Sequence, residues 1–339
     1  MSEIKVSVLV AIYNAEQYLH QCLDSLRNQT LAECQFLCVD DCSTDSSVSI
    51  IKEYAALDSR FQLLHTPVNS GHSVARNLGL SFARGEYVTM LDADDWLSPD
   101  ALSQAYTVAT QGEGFDCVMF RLMMYNEWNH TQYLFPSLQS DTPISGQEAF
   151  RLSLDWQVHG YYILRRDIHL QYPYDATLRI YTDDNITTRL HLLHARSVAF
   201  SQGEYYYRQH ADSITHKYSV NRFLFMDALS LLKDNILREI EAGNIDNPES
   251  LLTRFENLRW FNFLDMVRYY LTHRNKMSAA ERADISQRLQ DKLHTFETSR
   301  IESRFKFRPG YIPIQNWTVF LLQQWLFQKV YPLYKKLKS

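Results

Sequence analysis

Residues 86–100 read EYVTMLDADDWLSPD, and the fold turns on that stretch. Tyr87–Leu91 is a short run rich in Val, Tyr and Leu that suits a strand buried in a sheet. It delivers Asp92, Asp94 and Asp95 to one end, with Trp96 beside them. Like charges packed together repel, and burying them is costly unless a cation or a hydrogen-bond network compensates. Asp92 and Asp94 are two apart, so on an extended segment both point to one face. Two hard oxygen ligands with room for water suit Mg2+ or Mn2+, which keep open positions for phosphate oxygens. The plainer reading is a solvated loop whose acids cap the next helix.

Working outward, strands and helices alternate. VSVLVAI (6–12) is a continuous apolar run, the mark of a strand buried on both faces. Asn14 then reads as the cap of a helix whose Leu19, Cys22, Leu23 and Leu26 form one stripe. QFLCVDD (35–41) is the next strand, and SSVSIIKEYAAL (46–57) the next helix, with Ser46 or Asp45 as its cap. FQLLHTP (61–67) is a third strand, and SGHSVARNLGLSFARG (70–85) a third helix ended by Gly85. Past Asp95, Ser98-Pro99-Asp100 reads as cap and first turn of a further helix. Such alternation predicts right-handed βαβ units, a parallel sheet, and a ligand site at the carboxyl ends of its strands. From about 115 to 215 the pattern is mixed, and beyond 218 it is helical, so a domain boundary is expected near 218: residues 1–218 as the catalytic unit and 219–339 as a helical one.

Composition agrees with a folded intracellular chain. Its 339 residues are 45% apolar and 22% charged, enough for a sizeable core and more than one domain, and Gly and Pro are sparse. The five cysteines make an odd set with no CxxC pair. Cys34, Cys38 and Cys42, four apart along a strand and its loop, would lie roughly 13 Å from one another, too far to share a zinc. They read as core thiols of a reducing compartment. The amino terminus lacks the basic start and cleavage site of a signal peptide, and no stretch reaches the ~20 apolar residues a membrane span needs. A cytoplasmic protein is expected.

Four segments together resemble glycosyltransferase family 2, the inverting GT-A enzymes of polysaccharide synthesis, over roughly residues 4–216. VSVLVAIYN (6–14) is similar to that family's opening strand and Tyr-Asn loop, with Ala11 where proline is usual. CVDDCSTDSS (38–47) resembles its second-strand segment, with Cys42 where glycine is common. NSGHSVARNLGL (69–80) and the quoted EYVTMLDADDW match two further stretches in the right order. The resemblance implies a GT-A fold: α/β, with a Rossmann-like, mostly parallel central sheet flanked by helices, followed by a C-terminal helical region.

It also implies roles. Asp41 would accept the N3–H of uracil, and Tyr13 would pack on the base. Asp92 would contact the ribose or the metal, Asp94 would bind the Mn2+ or Mg2+ that bridges the two phosphates, and Asp95 would support the loop. Arg76 pairs with the carboxylates or diphosphate, or else forms a structural salt bridge to Asp41 or Asp92; Trp96 borders the acceptor pocket or belongs to the core. RIYTDDNITTRLHLLHA (179–195) resembles the family's Glu-Asp segment at a helix start, with Asp183 in the Glu position and Asp184 as the catalytic base. YYYRQHADSIT (205–215) resembles the segment that completes the metal site, with His210 as ligand.

The charge is uneven. Residues 300–339 hold eight basic residues against Glu302 alone, +7, which leaves −12 for the rest of a chain whose net charge is −5. An acidic body with a basic tail is not a nucleic-acid footprint, but it suits an anionic membrane. Between Pro313 and Pro332, Trp317, Phe320, Leu321, Trp325 and Leu326 read as one face of an interfacial helix, or of a helix docked on the catalytic domain or a homodimer mate.

The expected activity is metal-dependent, inverting transfer from a UDP-sugar to a hydroxyl of a glycan, namely a lipid-linked oligosaccharide of surface polysaccharide synthesis, at the inner face of the cell membrane. A non-catalytic nucleotide-sugar-binding or scaffolding subunit is the alternative. A sugar-phosphate nucleotidyltransferase is disfavoured, because AIYNAEQ (11–17) lacks a glycine-rich loop.

Overall fold

The computed structural model describes residues 3–178, 186–211, 218–302 and 316–338. The chain divides into two compact units, Met1–Lys217 and Tyr218–Ser339.

In the first unit the strands are β1 (Val6–Ile12), β2 (Cys34–Asp40), β3 (Phe61–His65), β4 (Tyr87–Met90), β5 (Trp96–Leu97), β6 (Cys117–Asn126), β7 (Thr131–Leu134), β8 (Ile144–Ser145), β9 (Tyr162–Arg165) and β10 (Ser197–Gln209). The helices are α1 (Glu16–Arg27), α2 (Ser47–Leu57), α3 (His72–Phe82), α4 (Ala101–Ala109), α5 (Gly146–Ser153), α6 (Arg166–Gln171) and α7 (Thr188–His194). They build one sheet of order β3-β2-β1-β4-β9-β6-β10-β5, with β7 on β6 and β8 on β10. β1 pairs in parallel with β2 and β4, β2 with β3, and β6 with β10. β9 runs against both β4 and β6, so those two strands share the direction of β1. The carboxyl ends of β1, β2, β4, β6 and β10 therefore meet along one edge, where open α/β sheets bind ligands.

The apolar runs explain the centre. All seven residues of β2 and six of seven in β1 are buried, because helices cover both faces. Leu19, Cys22, Leu23 and Leu26 of α1 form the stripe read from the sequence, and four of the five cysteines are buried and all five free.

Helix ends depart from the sequence reading. Asn14 does not cap α1; its Oδ1 accepts from Thr44 N at 2.8 Å, while the N–H groups of Ala15 and Glu16 donate to Ser47 Oγ and Asp45 Oδ2. The two loops thus satisfy each other's amides, which a local capping rule cannot foresee. α3 ends at Phe82, short of Gly85, whose role is a close approach: a Cβ there would lie 2.5 Å from the Ser7 amide nitrogen. Before α4, Trp96–Leu97 first forms β5 against Tyr205–Tyr206 of β10, and no side chain of Ser98 or Asp100 caps the helix that starts at Ala101.

The second unit holds α8 (Leu224–Glu241), α9 (Pro248–His273), α10 (Ala279–Leu293) and α11 (Trp317–Lys338). Trp317 and Phe320 of α11 are buried with Trp260, Phe263, Ile285 and Leu289, and Trp317 Nε1 donates to Ser286 Oγ at 3.0 Å. This corrects the single apolar face read from the sequence: Trp317 and Phe320 belong to the core of this unit, whereas Trp325 and Leu326 are exposed. The helix also continues past Pro332. No helix among the described residues is long and apolar enough to cross a membrane.

Candidate active site

Each strand that ends on the shared edge contributes. β1 leads to Tyr13, which is 54% exposed. β2 leads to Asp41, which is buried: its carboxylate accepts from Thr66 Oγ1 at 2.6 Å, from Ser70 N at 2.9 Å and from Gly71 N at 2.7 Å. These contacts brace the β3–α3 loop, and an incoming N3–H would have to share an oxygen already bonded. Gly71 sits at φ +91°, a conformation only glycine adopts readily. Cys42, where glycine is common, also takes a left-handed conformation at φ +65°.

β4 leads to the acids. Arg76 of α3 is buried and forms an ion pair with Asp92 Oδ1. Asp95 is almost wholly buried and accepts from the Tyr205 hydroxyl and from Arg208 N, each at 2.8 Å. Burial first, then the charges of Asp94 and Asp92, push its carboxyl well above the usual carboxylate range, against the pull of those two donors. Asp94 differs: its side chain is partly exposed, and Oδ2 lies 2.9 Å from His210 Nε2.

That pair suits a divalent cation. Two ligands at about 2.1 Å on neighbouring corners of an octahedron lie roughly 3 Å apart, which matches 2.9 Å. His210 Nδ1 is buried with no hydrogen-bond partner among the described residues, and the ring packs on Tyr18 at 4.4 Å. No group of three or more His, Cys, Asp or Glu able to hold a metal occurs among the described residues. A two-ligand site of this kind leaves positions for water and phosphate oxygens, as Mg2+ prefers.

Arg208 received no role from the sequence, yet it ties the site together. Its Nε donates to Asp94 O at 2.8 Å, its Nη1 to Glu127 Oε1 at 3.3 Å, and its Nη2 to Gln21 Oε1. The guanidinium lies 4.8 Å from the ring centre of Trp96 and 5.0 Å from that of Tyr18. Trp96 in turn stacks on Tyr206 at 5.0 Å and is half-buried. The missed signal was period two: Arg208 and His210 alternate along one strand end and so face the same side. Asp183 and Asp184 lie outside the described residues.

The profile of the family described as Glycosyl transferase family 2 matches residues 7–175. The chain is similar to the protein named Putative glycosyltransferase EpsH of Bacillus subtilis (strain 168): 33% identity over 263 residues, or 74% of this chain and 73% of EpsH. It is 28% identical to glycosyltransferase GlyG of Streptococcus pneumoniae over 224 residues, 63% of this chain and 73% of GlyG. Among solved structures, S. aureus TarS 1-349 in complex with UDP-GlcNAc superposes with a TM-score of 0.72 at 20% identity, covering 96% of this chain and 92% of TarS 1-349. At that identity the likeness shows the fold, a GT-A α/β sheet followed by helices. With a curated relative a third identical over most of both chains, this protein belongs to glycosyl transferase family 2 and is a glycosyltransferase.

Proposed function

We propose that the protein transfers a sugar from a UDP-sugar to a hydroxyl group of a glycan acceptor, with inversion and with a divalent cation, in the assembly of a surface polysaccharide on a lipid-linked oligosaccharide. The observation that carries the reading is the Asp94–His210 pair, 2.9 Å apart and partly open to solvent on one side, beside the Asp92–Arg76 ion pair. The relatives support it: TarS has been solved with UDP-GlcNAc, and a segment of 144 residues is 32% identical to the poly(ribitol-phosphate) beta-glucosyltransferase of Bacillus spizizenii.

In this reading Tyr13 and the loop braced by Asp41 receive the uracil, and Asp92 meets the ribose. Asp94 and His210 would hold Mn2+ or Mg2+, whose charge offsets that developing on the departing diphosphate. Asp95 and Arg208 keep Asp94 in place, and Trp96 borders the acceptor side. Asp184, with Asp183 beside it, takes the proton from the acceptor hydroxyl as its oxygen bonds to the anomeric carbon and the bond from that carbon to the diphosphate oxygen breaks. Attack from the face opposite the leaving group inverts the anomeric configuration. The transferred unit is a hexose or N-acetylhexosamine.

The experiment is a screen of UDP-sugars with Mn2+ for UDP release and for thermal stabilisation. One donor should be hydrolysed slowly, and stabilisation should need the metal. Binding with no UDP release from any donor, with or without glycan acceptors, would favour the non-catalytic subunit instead.

A further inference from the structure

The two sides of α11 have different fates. Trp317 and Phe320 are buried in the core of the second unit, and Gln324 on the same side of the helix is buried as well. Val319, Leu322, Leu326 and Val330, spaced three, four and four residues apart, form a stripe on another side of the helix and are 47–57% exposed. Trp325 lies next to that stripe at 40% exposure, and Lys329 beside it is exposed. The same spacing recurs in the sequence at Leu333 and Leu337. An apolar strip kept in water along three turns of a helix that is already packed on its other side is not needed by the fold.

We infer that this stripe is a docking surface for an anionic lipid bilayer, on which α11 lies in the plane of the interface while its buried side stays in the protein. Charge selects the occupant. From residue 316 onward the chain holds Lys329, Lys335, Lys336 and Lys338 and no acidic residue. Anionic headgroups offer these lysines the opposite charge. An exposed tryptophan beside leucines and valines, with the exposed Lys329 next to them, is the side-chain set that partitions into the headgroup region. The inference adds to the proposed function the surface that would bring the enzyme to a lipid-linked acceptor, and it draws on that reading for its purpose alone.

The test uses the full chain, without donor or acceptor. The protein should sediment with vesicles of phosphatidylglycerol and phosphatidylcholine, less so in high salt, and weakly with phosphatidylcholine alone. Leu322→Glu/Leu326→Glu should lower partition at least about tenfold while leaving the melting temperature and UDP-dependent stabilisation unchanged. Lys329→Glu alone, a milder surface change, should give a smaller loss in the same direction. A wild-type protein that stays in the supernatant with anionic vesicles at low salt overturns the inference. So does a double variant that binds vesicles normally, or one whose only change is from dimer to monomer, which would make the stripe an interface between copies. UDP binding without vesicle binding refutes the membrane surface and spares the enzymatic reading; vesicle binding without UDP binding does the reverse.

Discussion

His210 Nε2 lies 2.9 Å from Asp94 Oδ2 although 116 residues separate them in sequence. The chain makes that contact by ending two aligned strands, β4 and β10, at the same edge of the sheet. If the pair holds the cation, UDP should stabilise the protein in Mn2+ or Mg2+ and not in EDTA. At a hundredfold excess over Kd the gain is about 2.7 kcal/mol, readable by calorimetry. Asp94→Asn and His210→Ala should each abolish it. Equal stabilisation by UDP in EDTA would remove the metal from the reading.

Arg208 should behave as a positioning residue. It supports Asp94 through the backbone carbonyl and Asp95 through its own N–H, so it orders the loop without being placed on the donor. Arg208→Lys keeps a charge but loses the planar fork and the ring contacts. The expected cost is about 10–100-fold in metal affinity or activity, with metal titration shifted to higher concentration and saturating metal restoring part of the rate. An unchanged metal dependence would reduce Arg208 to a structural role.

Asp184→Asn should lower transfer by about 10²–10⁴-fold and leave UDP affinity nearly intact, because the base acts on the acceptor. Normal transfer by this variant would move the base elsewhere, with Asp183 the next residue to test.

A buried histidine sets part of the acid sensitivity. Burial lowers the pKa of His159 from 6.5 to about 4, and its Nδ1 accepts from Tyr161 N at 3.2 Å, which needs the neutral ring. The native state thus holds fewer protons than the unfolded chain between those values. Its contribution is complete above pH 6.5 and drains away as pH falls toward 4, about 3 kcal/mol in all. His159→Asn keeps an acceptor for Tyr161 and should flatten urea midpoints across that window. A slope as steep as in the wild type would assign the acid loss to other groups.

The two sides of α11 should separate in stability. Phe320→Ala empties a fully buried site beside Phe263 and Trp260, and should cost about 3–5 kcal/mol. Leu322→Ala, at a position 55% exposed, should stay within about 0.5 kcal/mol. Urea unfolding followed by tryptophan fluorescence distinguishes them, and equal effects would mean that α11 is packed differently.

What the sequence by itself determined was periodic or local. The apolar run at Val6–Ile12 dictates a strand buried on both faces, and the mainly apolar Cys34–Asp40 reads as the next strand. The stripe of α1 dictates its inner side, and the acids at Asp92, Asp94 and Asp95 follow directly from the strand that delivers them. Even the capping box of α10, Ser278 with Glu281, is written in four consecutive residues. What only the tertiary structure decided depends on which segments meet. Asn14 forgoes its own helix because Thr44 reaches it from the next loop, and Trp96 becomes a strand residue because β10 offers an edge. The three acids part company for the same reason. Asp92 meets Arg76, Asp95 is drawn into the core by Tyr205 and Arg208, and Asp94 alone is left beside His210. In α11 the helical period identifies apolar positions, but the choice between the core for Phe320 and the surface for Leu326 rests on which side α9 and α10 occupy. Hydrophobicity and charge are properties of a residue; burial and pairing are properties of its neighbours, and those are set by the fold.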